Sequence, residues 1–392
     1  MKWIRLKANR EASVLRFHPW VFSGAVDTSS EDLQDGDWVV VQNAKGKALG
    51  TGHFQAGSIY VRLLSFSLQE NTQEFWDAKI SQALQVRRQT GLFPNAQTDC
   101  FRLVHGEGDG LPGLIIDLYG DTAVMQCHSI GMHRDRQYLS QALQTALGGT
   151  LKAVYDKSAE TLPTQYASSV RNGYLWGKSK PQTVKENGLT FFVDWEGGQK
   201  TGFFLDQRDN RALLASFSKD KTVLNAFSYT GGFSVYALQA GAKKVDSLDI
   251  SPRAVELAEQ NAGLNAPDAS KHQGIMGDVL QYLKQADTVY DLMVVDPPAF
   301  AKSLDKRHNA VQGYKRLNAL AIKKIAPGGI LFTFSCSQVV DRQLFHDTIV
   351  AAAIEAGRQV RILHTLSQPA DHPVSIFHPE GAYLKGLVLF VE

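Results

Sequence analysis

The second half of the chain alternates strand-like and helix-like runs, and this alternation constrains the fold more than any other feature. From about residue 187, "TVLNAFSY", "KVDSLDI", "HQGIMGD", "YDLMVVD" and "ILFTFSC" are typical of buried strands. "GGFSVYALQAGA", "SPRAVELAEQNAGLN" and "YKRLNALAIKKIAPGG" are typical of helices, the second with Ser251 as its cap and Pro252 in its first turn. Strands that alternate with helices form parallel βαβ units. The sequence therefore predicts an α/β domain with a doubly wound parallel sheet.

Two further modules are predicted before this domain. Residues 1–70 contain short runs of β-branched residues broken by turns, which predicts a small β-barrel-like module. The segment "TQEFWDAKISQALQVRRQTG" predicts a helix that stops at Gly91, with Phe75, Ile80, Leu84 and Val86 on or near one face. Because strands and a second helix follow, we interpret the next region as an α+β module. The predicted domains are 1–70, 71–186 and 187–392.

Composition excludes several classes of protein. The 392 residues carry 41 Lys and Arg against 39 Asp and Glu, so the net charge of +2 does not by itself indicate a nucleic-acid partner. Cys100, Cys127 and Cys336 are too scattered for a disulfide framework, and no C-x-x-C pair predicts a metal site. The N-terminus lacks a signal-peptide pattern, and no apolar run approaches the ~18 residues of a membrane-spanning helix. We expect a soluble, cytoplasmic protein without a metal site.

The ends of the predicted strands carry residues suited to a ligand, because ligands bind beyond the carboxyl ends of strands in such sheets. The first strand ends in "NAFSYTGG", where Gly231 and Gly232 allow a tight turn into the next helix. This turn is not G-x-G-x-x-G, which weakens a dinucleotide-binding interpretation. Asp249, about 20 residues further on, is either an acid for ribose hydroxyls or a helix cap. Asp278, after the third strand, is either at the adenine edge of a nucleoside or a cap.

The fourth strand is followed by "VVDPPAF", the most specific motif in the chain. Each proline fixes φ and holds the preceding residue extended, so Asp296 is predicted to lie in a stiff loop. Phe300, beyond the prolines, is suited to stacking on a planar base. A rigid surface turn would explain Pro297 and Pro298, but not the acid and the aromatic residue that flank them. The sheet is thus predicted to present a nucleoside-binding turn, a ribose-binding acid and a D-P-P loop.

The fifth strand ends at a cysteine, whose thiol is predicted to lie at the same carboxyl edge of the sheet. In "FTFSCSQ", residues 332–338, an apolar run leads to Cys336 between two serines. Periodicity alone leaves two interpretations of Cys336 open: a packed residue at the edge of the core, or a nucleophile at the entrance of an active site. Cys100 and Cys127 lie on predicted strands without a base nearby in sequence, so we interpret both as buried core thiols.

Several strings in the chain resemble one protein family. A D-P-P loop after the fourth strand of a Rossmann-like sheet is the pattern of class I S-adenosylmethionine-dependent methyltransferases. "KTGFFLDQRDNR", "NAFSYTGGFSVYAL", "VVDPPAFAKS", "TFSCSQ" and "QPADHPV" with "PEGAYLKG" closely resemble the bacterial 23S rRNA cytosine-C5 methyltransferases of the large-subunit methyltransferase I type. "RLVHGEGDGLPGLIID" resembles the middle module of that family, and the first 70 residues, with "FHPWVFSGAV", resemble its N-terminal PUA domain. The resemblance covers nearly the whole chain.

The resemblance implies a fold, a cofactor and partners. It implies a Rossmann-like methyltransferase domain preceded by a PUA-like RNA-binding domain and an α+β middle domain, with S-adenosylmethionine as the cofactor. The implied partner is 23S rRNA or a large-subunit assembly particle, and a homodimer is a possible form. The implied cofactor-binding residues are Asn225, Phe227, Ser228, Gly231, Asp249, Ile250, Asp278, Val279, Asp296 and Pro297.

The resemblance also implies that Cys336 is the nucleophile, and this role fits the chemistry. Cytosine C5 is too weak a nucleophile to attack a sulfonium methyl group unaided, and a thiolate that adds to C6 activates it. Asp296 is the candidate to bind the cytosine and protonate N3, a transfer worth roughly 10²- to 10⁴-fold in rate. In two-cysteine RNA cytosine methyltransferases, a second Cys that assists product release stands at the position of Pro298. The release step and the base for the C5 proton are therefore not assigned from the sequence.

A local excess of positive charge follows the D-P-P loop. Residues 301–324 contain seven Lys or Arg residues against a single acid. We predict that Lys302, Arg307 and Arg316 contact RNA phosphates, whereas the lysines at 323 and 324 are typical of a solvated helix face. The resemblance suggests that Gln207 and Arg208 reach the cofactor or substrate from the lip of the site. On sequence alone, a surface pair between Arg208 and the acid at 206 or 209 is equally consistent.

Three other functions compete with cytosine-C5 methylation. Methylation of an exocyclic amino group in RNA or protein also uses a D-P-P loop followed by an aromatic residue, but it needs no thiolate. A non-catalytic RNA-binding or ribosome assembly factor would retain the fold without turnover, and the complete cofactor and D-P-P strings argue against it. A nucleotide-dependent dehydrogenase is disfavoured because the glycine fingerprint is missing.

Overall fold

The computed structural model describes residues 1–265, 268–285, 287–301 and 303–392. The chain divides into two compact units, each built from segments distant in sequence. Both predicted boundaries stay predictions: the chain changes unit near 186 but returns to the first unit twice afterwards, and the boundary at 70 falls inside the first unit. The first unit contains Met1–Lys185, Val193–Leu205 and Ala370–Gly381; the second contains Glu186–Phe192, Asp206–Pro369 and Ala382–Glu392.

The N-terminal part of the first unit is the β-rich module that the sequence predicts. Its strands form one sheet in the order β2-β6-β5-β4-β1-β3, with short helix α1 (Ala12–Leu15) before β2. Apolar residues of alternating positions, such as Val39 and Val41, fill its core. The strands are β1 (Lys2–Leu6), β2 (Trp20–Phe22), β3 (Val26–Ser29), β4 (Trp38–Gln42), β5 (Ala48–Phe54) and β6 (Ile59–Ser65).

A second sheet in the first unit packs against helices, in agreement with the predicted α+β module. Its strand order is β11-β10-β9-β8-β7. Cys100 and Cys127 are fully buried on these strands, which confirms the core interpretation. The elements are α2 (Gln73–Gln89), β7 (Cys100–His105), β8 (Leu114–Tyr119), β9 (Thr122–Cys127), α3 (Ile130–Arg134), α4 (Arg136–Leu147), β10 (Ala153–Asp156), α5 (Thr164–Ala167) and β11 (Gly173–Gly177).

Helix α2 follows the predicted pattern except at Val86. The Thr72 hydroxyl accepts a hydrogen bond from the Phe75 N–H, and the helix ends just before Gly91, which has φ of 72°. Ile80 and Leu84 are buried as predicted. Val86 is exposed, so its predicted place on the apolar face is wrong. Two residues rotate an α-helix by about 200°, which turns Val86 away from the face of Leu84.

The segment Ala370–Gly381 is fixed to the first unit by buried polar contacts. The Asp371 carboxylate accepts a 2.9 Å hydrogen bond from the Arg102 N–H, and its carbonyl accepts one of 2.8 Å from Arg87 Nη2. Arg87 is itself fully buried and ion-paired with Asp109. Buried charges persist when they are paired and hydrogen-bonded in this way. These bonds explain why a segment so late in the sequence belongs to this unit.

The second unit contains the doubly wound sheet. A two-stranded sheet of β12 (Gln182–Glu186) and β13 (Leu189–Val193) forms where the chain passes between units. The main sheet has the order β16-β15-β14-β17-β18-β20-β19, and only β20 is antiparallel to its neighbours within the described chain. Its strands are β14 (Thr222–Ala226), β15 (Lys244–Asp249), β16 (His272–Met276), β17 (Tyr290–Val295), β18 (Ile325–Ser335), β19 (Val360–Leu366) and β20 (Lys385–Val391).

Helices cover both faces of this sheet. Met293 belongs to one apolar cluster and Leu292 to another, because successive side chains of a strand point to opposite faces. The Ser251 hydroxyl accepts a hydrogen bond from the Ala254 N–H, as the sequence predicts. Helix α10 begins before the predicted Tyr314, and the predicted end "IAPGG" belongs to β18 instead. The helices are α6 (Arg208–Ala215), α7 (Gly232–Gln239), α8 (Pro252–Asn265), α9 (Val279–Gln285), α10 (Arg307–Lys324) and α11 (Arg342–Ala356). None of the helices described here has the length and apolar character needed to cross a membrane.

Candidate active site

The strand order reverses between β14 and β17, and the predicted site residues surround this point. In doubly wound sheets, the crevice for a ligand opens at the carboxyl ends of the strands where the order reverses. The turn after β14, the end of β15 and the D-P-P loop after β17 all lie at that edge. Cys336 follows β18, the parallel neighbour of β17. The topology therefore brings these four of the five predicted strand ends to one edge.

The turn after β14 has an unusual backbone and an unpaired hydroxyl. Phe227 and Tyr229 have φ of 59° and 44°, and Gly231 has φ of 77°. A Cβ on Gly231 would lie 2.9 Å from Ala258 Cα, so the close approach of α8 requires glycine here. The Ser228 N–H donates to the Leu248 carbonyl, but its buried Oγ has no hydrogen-bond partner among the described residues. Strained backbone and an orphan polar atom are typical of a ligand site.

Asp249 is oriented by two backbone N–H groups. Its Oδ2 accepts a 3.0 Å hydrogen bond from the Tyr229 N–H, and its Oδ1 accepts a 2.9 Å bond from the Ser251 N–H. The first bond joins the turn after β14 to the end of β15. Each carboxylate oxygen can accept a further bond, so Asp249 remains suited to hydroxyls of a ligand. Ile250 beside it is strongly exposed at the same edge.

Three other predicted cofactor residues use their side chains within the protein. Asp278 Oδ1 accepts a 2.9 Å hydrogen bond from the Gln281 N–H, which is the capping alternative. Val279, the first residue of α9, is buried. The buried amide of Asn225 donates to Ser234 Oγ in α7. A ligand contact by any of these residues stays a prediction.

The D-P-P loop is tied to the segment before β14. Asp296 Oδ2 accepts a 2.9 Å hydrogen bond from Gln207 Nε2. Gln207 Oε1 in turn accepts a 2.6 Å bond from Asn210 Nδ2, which fixes the orientation of the amide. Pro297 is buried and Pro298 is exposed. Gln207 therefore lies beside the D-P-P loop, its reach to cofactor or substrate stays a prediction, and Asn210 is a supporting residue that the sequence alone did not indicate.

Phe300 lies against a buried tyrosine. Its ring centroid is 4.6 Å from that of Tyr314, and 37% of the residue is exposed. A Cβ at Gly313 would lie 2.9 Å from the Phe300 ring, so the absent side chain there makes room for it. The buried Tyr314 hydroxyl lies close to Ser335 and to the Phe300 backbone, and both lower its pKa. Burial, with the nearby Cys336 and Asp296, raises the pKa of Tyr314 to about 12, so the phenol stays protonated at neutral pH.

Cys336 is half-buried directly beyond β18. Because Val295 pairs with Thr333, Cys336 lies two positions further along its strand than Asp296 does along β17. If both segments continued as regular strands, at about 3.3 Å per residue and 4.8 Å between strands, their Cα atoms would be about 8 Å apart. The next residue, Ser337, donates a 2.6 Å hydrogen bond to the Ala301 carbonyl. The thiol-bearing segment and the D-P-P loop are thus bonded to each other.

The predicted cationic residues do not form one surface. Arg208 is buried, and its Nε lies 3.8 Å from Glu186 Oε2, so the surface location that one of its two interpretations requires is wrong. Its reach to a substrate stays a prediction. Arg307 and Arg316 are exposed on α10, but nine residues rotate a helix by about half a turn, which puts them on opposite sides. Arg307 lies on the side of Tyr314. Lys302 lies outside the described residues.

One group of potential metal ligands occurs among the described residues, in the first unit. Atoms of His18, His378 and Glu380 lie within 4.8 Å of one another. His378 Nε2 and Glu380 Oε2 are 3.8 Å apart, more than the roughly 3.3 Å between ligand atoms of a tetrahedral zinc ion. The His378 ring packs edge-on against Trp20 at 4.4 Å. This arrangement carries no metal assignment.

Comparison with known proteins identifies the family. Residues 103–389 match the model of S-adenosylmethionine-dependent methyltransferases, and residues 4–66 match a PUA-like domain. The chain is 40% identical over 394 residues to the ribosomal RNA large subunit methyltransferase I of Aeromonas hydrophila, covering 98% of both chains. The chain belongs to this methyltransferase family. The family member from Enterobacter sp. strain 638 is 39% identical, with 97% of both chains covered.

Solved structures support the fold. A Streptococcus mutans protein assigned as a SAM-dependent methyltransferase aligns over 100% of both chains, with a TM-score of 0.84 and 23% identity. A protein assigned as a methyltransferase and solved with SAH aligns over the same extent, with a TM-score of 0.85 and 23% identity. The predicted Rossmann-like methyltransferase domain with an N-terminal PUA-like domain is therefore confirmed.

The described site fits the cofactor of this family, S-adenosylmethionine. The unpaired Ser228 hydroxyl and the remaining acceptor positions of Asp249 offer polar partners for a nucleoside at the end of β14 and β15. The glycine at 231 removes the side chain that would otherwise separate the turn from α8. These residues would hold the cofactor at the edge where the D-P-P loop and Cys336 also lie.

Proposed function

We propose that this methyltransferase forms 5-methylcytosine in 23S rRNA through a covalent bond between Cys336 Sγ and cytosine C6. The proposal rests on the position of a half-buried thiol directly beyond β18. The next residue, Ser337, is hydrogen-bonded to the D-P-P loop. The name of the relatives, which are ribosomal RNA large subunit methyltransferases, supports the class of substrate. The substrate is free 23S rRNA or a large-subunit assembly particle. A cytoplasmic location accompanies a ribosomal substrate in bacteria, and the homodimer stays a prediction.

The proposed reaction begins at the thiolate. Its attack on C6 makes the electron pair of the C5–C6 double bond available at C5, and N3 takes up a proton. Asp296, oriented by Gln207, is the proposed donor of that proton. Bound S-adenosylmethionine would supply an electrophilic methyl group to C5 and would leave as the neutral thioether S-adenosylhomocysteine. Loss of the C5 proton then restores the double bond as the C6–S bond breaks and the thiolate leaves, and N3 returns its proton to the Asp296 carboxylate. No residue is assigned as the base for the C5 proton.

The substrate base needs a surface outside the sheet. A cytosine in folded RNA must leave its stack, at a cost of a few kcal/mol, before it reaches such a site. The partly exposed ring of Phe300 is the proposed stacking surface, since it lies against Tyr314 beside the D-P-P loop. Arg307, on the same side of α10, is the proposed phosphate contact. The helix geometry does not support a shared role for Arg316.

The test uses RNA that contains 5-fluorocytosine, because fluorine at C5 prevents the final elimination and traps the adduct. We expect wild-type protein, with S-adenosylmethionine, to form a covalent complex that survives denaturing electrophoresis. Cys336→Ala should form none and should not methylate normal RNA. Cys127→Ala, which removes a buried thiol of the first unit, is the matched control and should form the complex.

Two outcomes would contradict the proposal. Full methylation by Cys336→Ala would favour transfer to an exocyclic amino group, which requires no thiolate. Wild-type protein that neither binds S-adenosylmethionine nor methylates RNA would favour a non-catalytic assembly factor. If the adduct forms as expected, a map of 5-methylcytosine in rRNA from cells with and without this protein identifies the modified position.

A further inference from the structure

Lys385 is a buried lysine one strand away from the thiol. It is the first residue of β20, which pairs antiparallel with β18 so that Lys385 faces Ser335 in the register. Only 3% of the residue is exposed, and lysine is almost never so buried unless it has a partner. Its Nζ donates a 2.7 Å hydrogen bond to the Ser337 carbonyl and another of 2.7 Å to the Tyr383 carbonyl. The ammonium is thus held next to the backbone of the residue that follows Cys336.

The hydrogen bonds of Lys385 leave one proton and the charge unmatched. An ammonium has three donors, and two of them go to carbonyl oxygens. No carboxylate forms an ion pair with Lys385 within the described segments. Burial lowers the pKa of Lys385 to about 8, and the Cys336 thiol acts in the opposite direction as the largest opposing charge. An anion near Lys385 would therefore complete an otherwise unbalanced buried charge.

The other charged and titratable groups around this pair come from three elements. Asp341 and Arg342, at the start of α11, act on Lys385 in opposite directions. Tyr314 of α10 lies near Cys336, and its hydroxyl remains protonated. Asp296 of the D-P-P loop acts on Tyr314 as well. Among these groups, Lys385 is the cation whose hydrogen bonds place it beside the thiol-bearing segment.

We propose that Lys385 is a positioning residue whose ammonium keeps Cys336 as a thiolate before the substrate binds. This inference rests on the proposed role of Cys336. Free cysteine is mostly protonated at neutral pH, and a nearby lysine is one of the groups that favours its thiolate. Lys385 keeps its proton throughout: the thiolate that adds to C6 and the thiolate that leaves are both stabilised by the same charge. The lysine thus supplies no proton to the cytosine.

The experiment measures the thiol directly, without RNA or cofactor. The rate of alkylation of Cys336 by iodoacetamide is followed against pH, with peptide mass spectrometry to separate Cys336 from the two buried cysteines. We expect half-maximal alkylation of the wild-type thiol below the ordinary cysteine value of about 8.5. Lys385→Met should move that midpoint up by about one unit or more, which is roughly tenfold slower alkylation near pH 7. Lys385→Arg, which retains the charge, should keep most of the wild-type reactivity.

Lys243→Met is the matched control, because Lys243 is exposed and lies before β15 at the opposite edge of the sheet. An alkylation curve of Lys385→Met that coincides with that of Lys243→Met would overturn the proposal. A wild-type midpoint at or above the ordinary value would overturn it too, even if Lys385→Met does not fold. Failure of the proposed function has a different signature, which is methylation by Cys336→Ala. As a second readout, the methylation rate of Lys385→Met should recover as pH rises through the new thiol midpoint.

Discussion

Gln207 Nε2 donates a hydrogen bond of 2.9 Å to Asp296 Oδ2, across 89 positions of sequence. Asn210 holds the other end of the same amide, so the carboxylate is presented in one orientation. Such a bond contributes roughly 0.5–1.5 kcal/mol when the acid is protonated and roughly 1.5–3 kcal/mol when it is charged. The segment before β14 therefore helps to orient Asp296, the residue that we propose as the proton donor.

Replacing Gln207 by Leu should slow methyl transfer by about 10- to 100-fold, because the variant cannot orient Asp296. The measurement is the transfer of labelled methyl groups to 23S rRNA at saturating cofactor. Gln343→Leu is the control, since Gln343 Nε2 also donates a 2.9 Å bond to an aspartate, Asp347, on the exposed side of α11. Equal rates for the two variants would show that the bond does not assist the reaction.

Gly231 is expected to resist substitution for a steric reason in addition to its backbone conformation. Gly231 and Gly328 both have φ of 77°, but only at Gly231 would a Cβ meet a neighbour, Ala258 Cα at 2.9 Å. Gly328→Ala should lower the free energy of unfolding by about 1–2 kcal/mol through the left-handed backbone alone. Gly231→Ala should cost about 1–3 kcal/mol more. Urea unfolding of both variants tests this, and equal losses would contradict the packing argument.

Replacing Asp249 by Asn should weaken cofactor binding by about 10- to 100-fold. The amide keeps the shape of the side chain, but it removes the charge and turns one acceptor of a backbone N–H into a donor. Isothermal titration with SAH measures the affinity without turnover. Asp268→Asn is the control, because Asp268 accepts a backbone hydrogen bond from Ser270 at an exposed position outside the sheet edge. An unchanged affinity in Asp249→Asn would remove this acid from the cofactor site.

The stability of the protein should depend on pH through Lys385. Its pKa is about 8 in the folded chain, against an ordinary value of 10.5. The unfolded chain therefore binds more protons between these values, and the contribution of this group to stability rises with pH across that window. The rise amounts to about 3 kcal/mol. We expect the free energy of unfolding of wild type, measured with urea, to rise relative to that of Lys385→Met between pH 7 and pH 10. A difference that does not vary with pH would contradict the prediction.

Local patterns in the sequence predict the parallel sheet and its ligand edge because each βαβ unit is contiguous. The motifs around Asp249, Asp296 and Cys336 end three strands, and the regular handedness of the connections carries those ends to one edge. The prediction of which strand ends approach each other therefore needs no distant contact. Comparison with relatives then shows the methyltransferase family, which a strand end alone leaves open.

The parts that sequence patterns did not reveal depend on distant or non-periodic contacts. Lys385 reaches the site on an antiparallel strand, 49 positions after Cys336, and a lysine in an apolar strand gives no local sign of its partner. The pairing of Glu186 with Arg211 joins residues 25 positions apart, with bonds of 2.8 and 2.7 Å. Val86 was misplaced because an apolar residue two positions beyond a core residue can still face solvent on a helix. For Tyr314, the sequence offers one local indication that its ring lies beside Phe300, which is the glycine that precedes it in α10.

The return of Ala370–Gly381 to the first unit has a consequence for how this protein can be divided. The link between β19 and β20 passes through that unit, while β20 is the strand through which β19 joins the sheet. A fragment that starts at 187 would keep all seven strands of the sheet. It would lack Arg87 and Arg102, the hydrogen-bond partners of Asp371. A single cut in the chain therefore cannot separate the two units, because at least one of them has segments on both sides of any such cut.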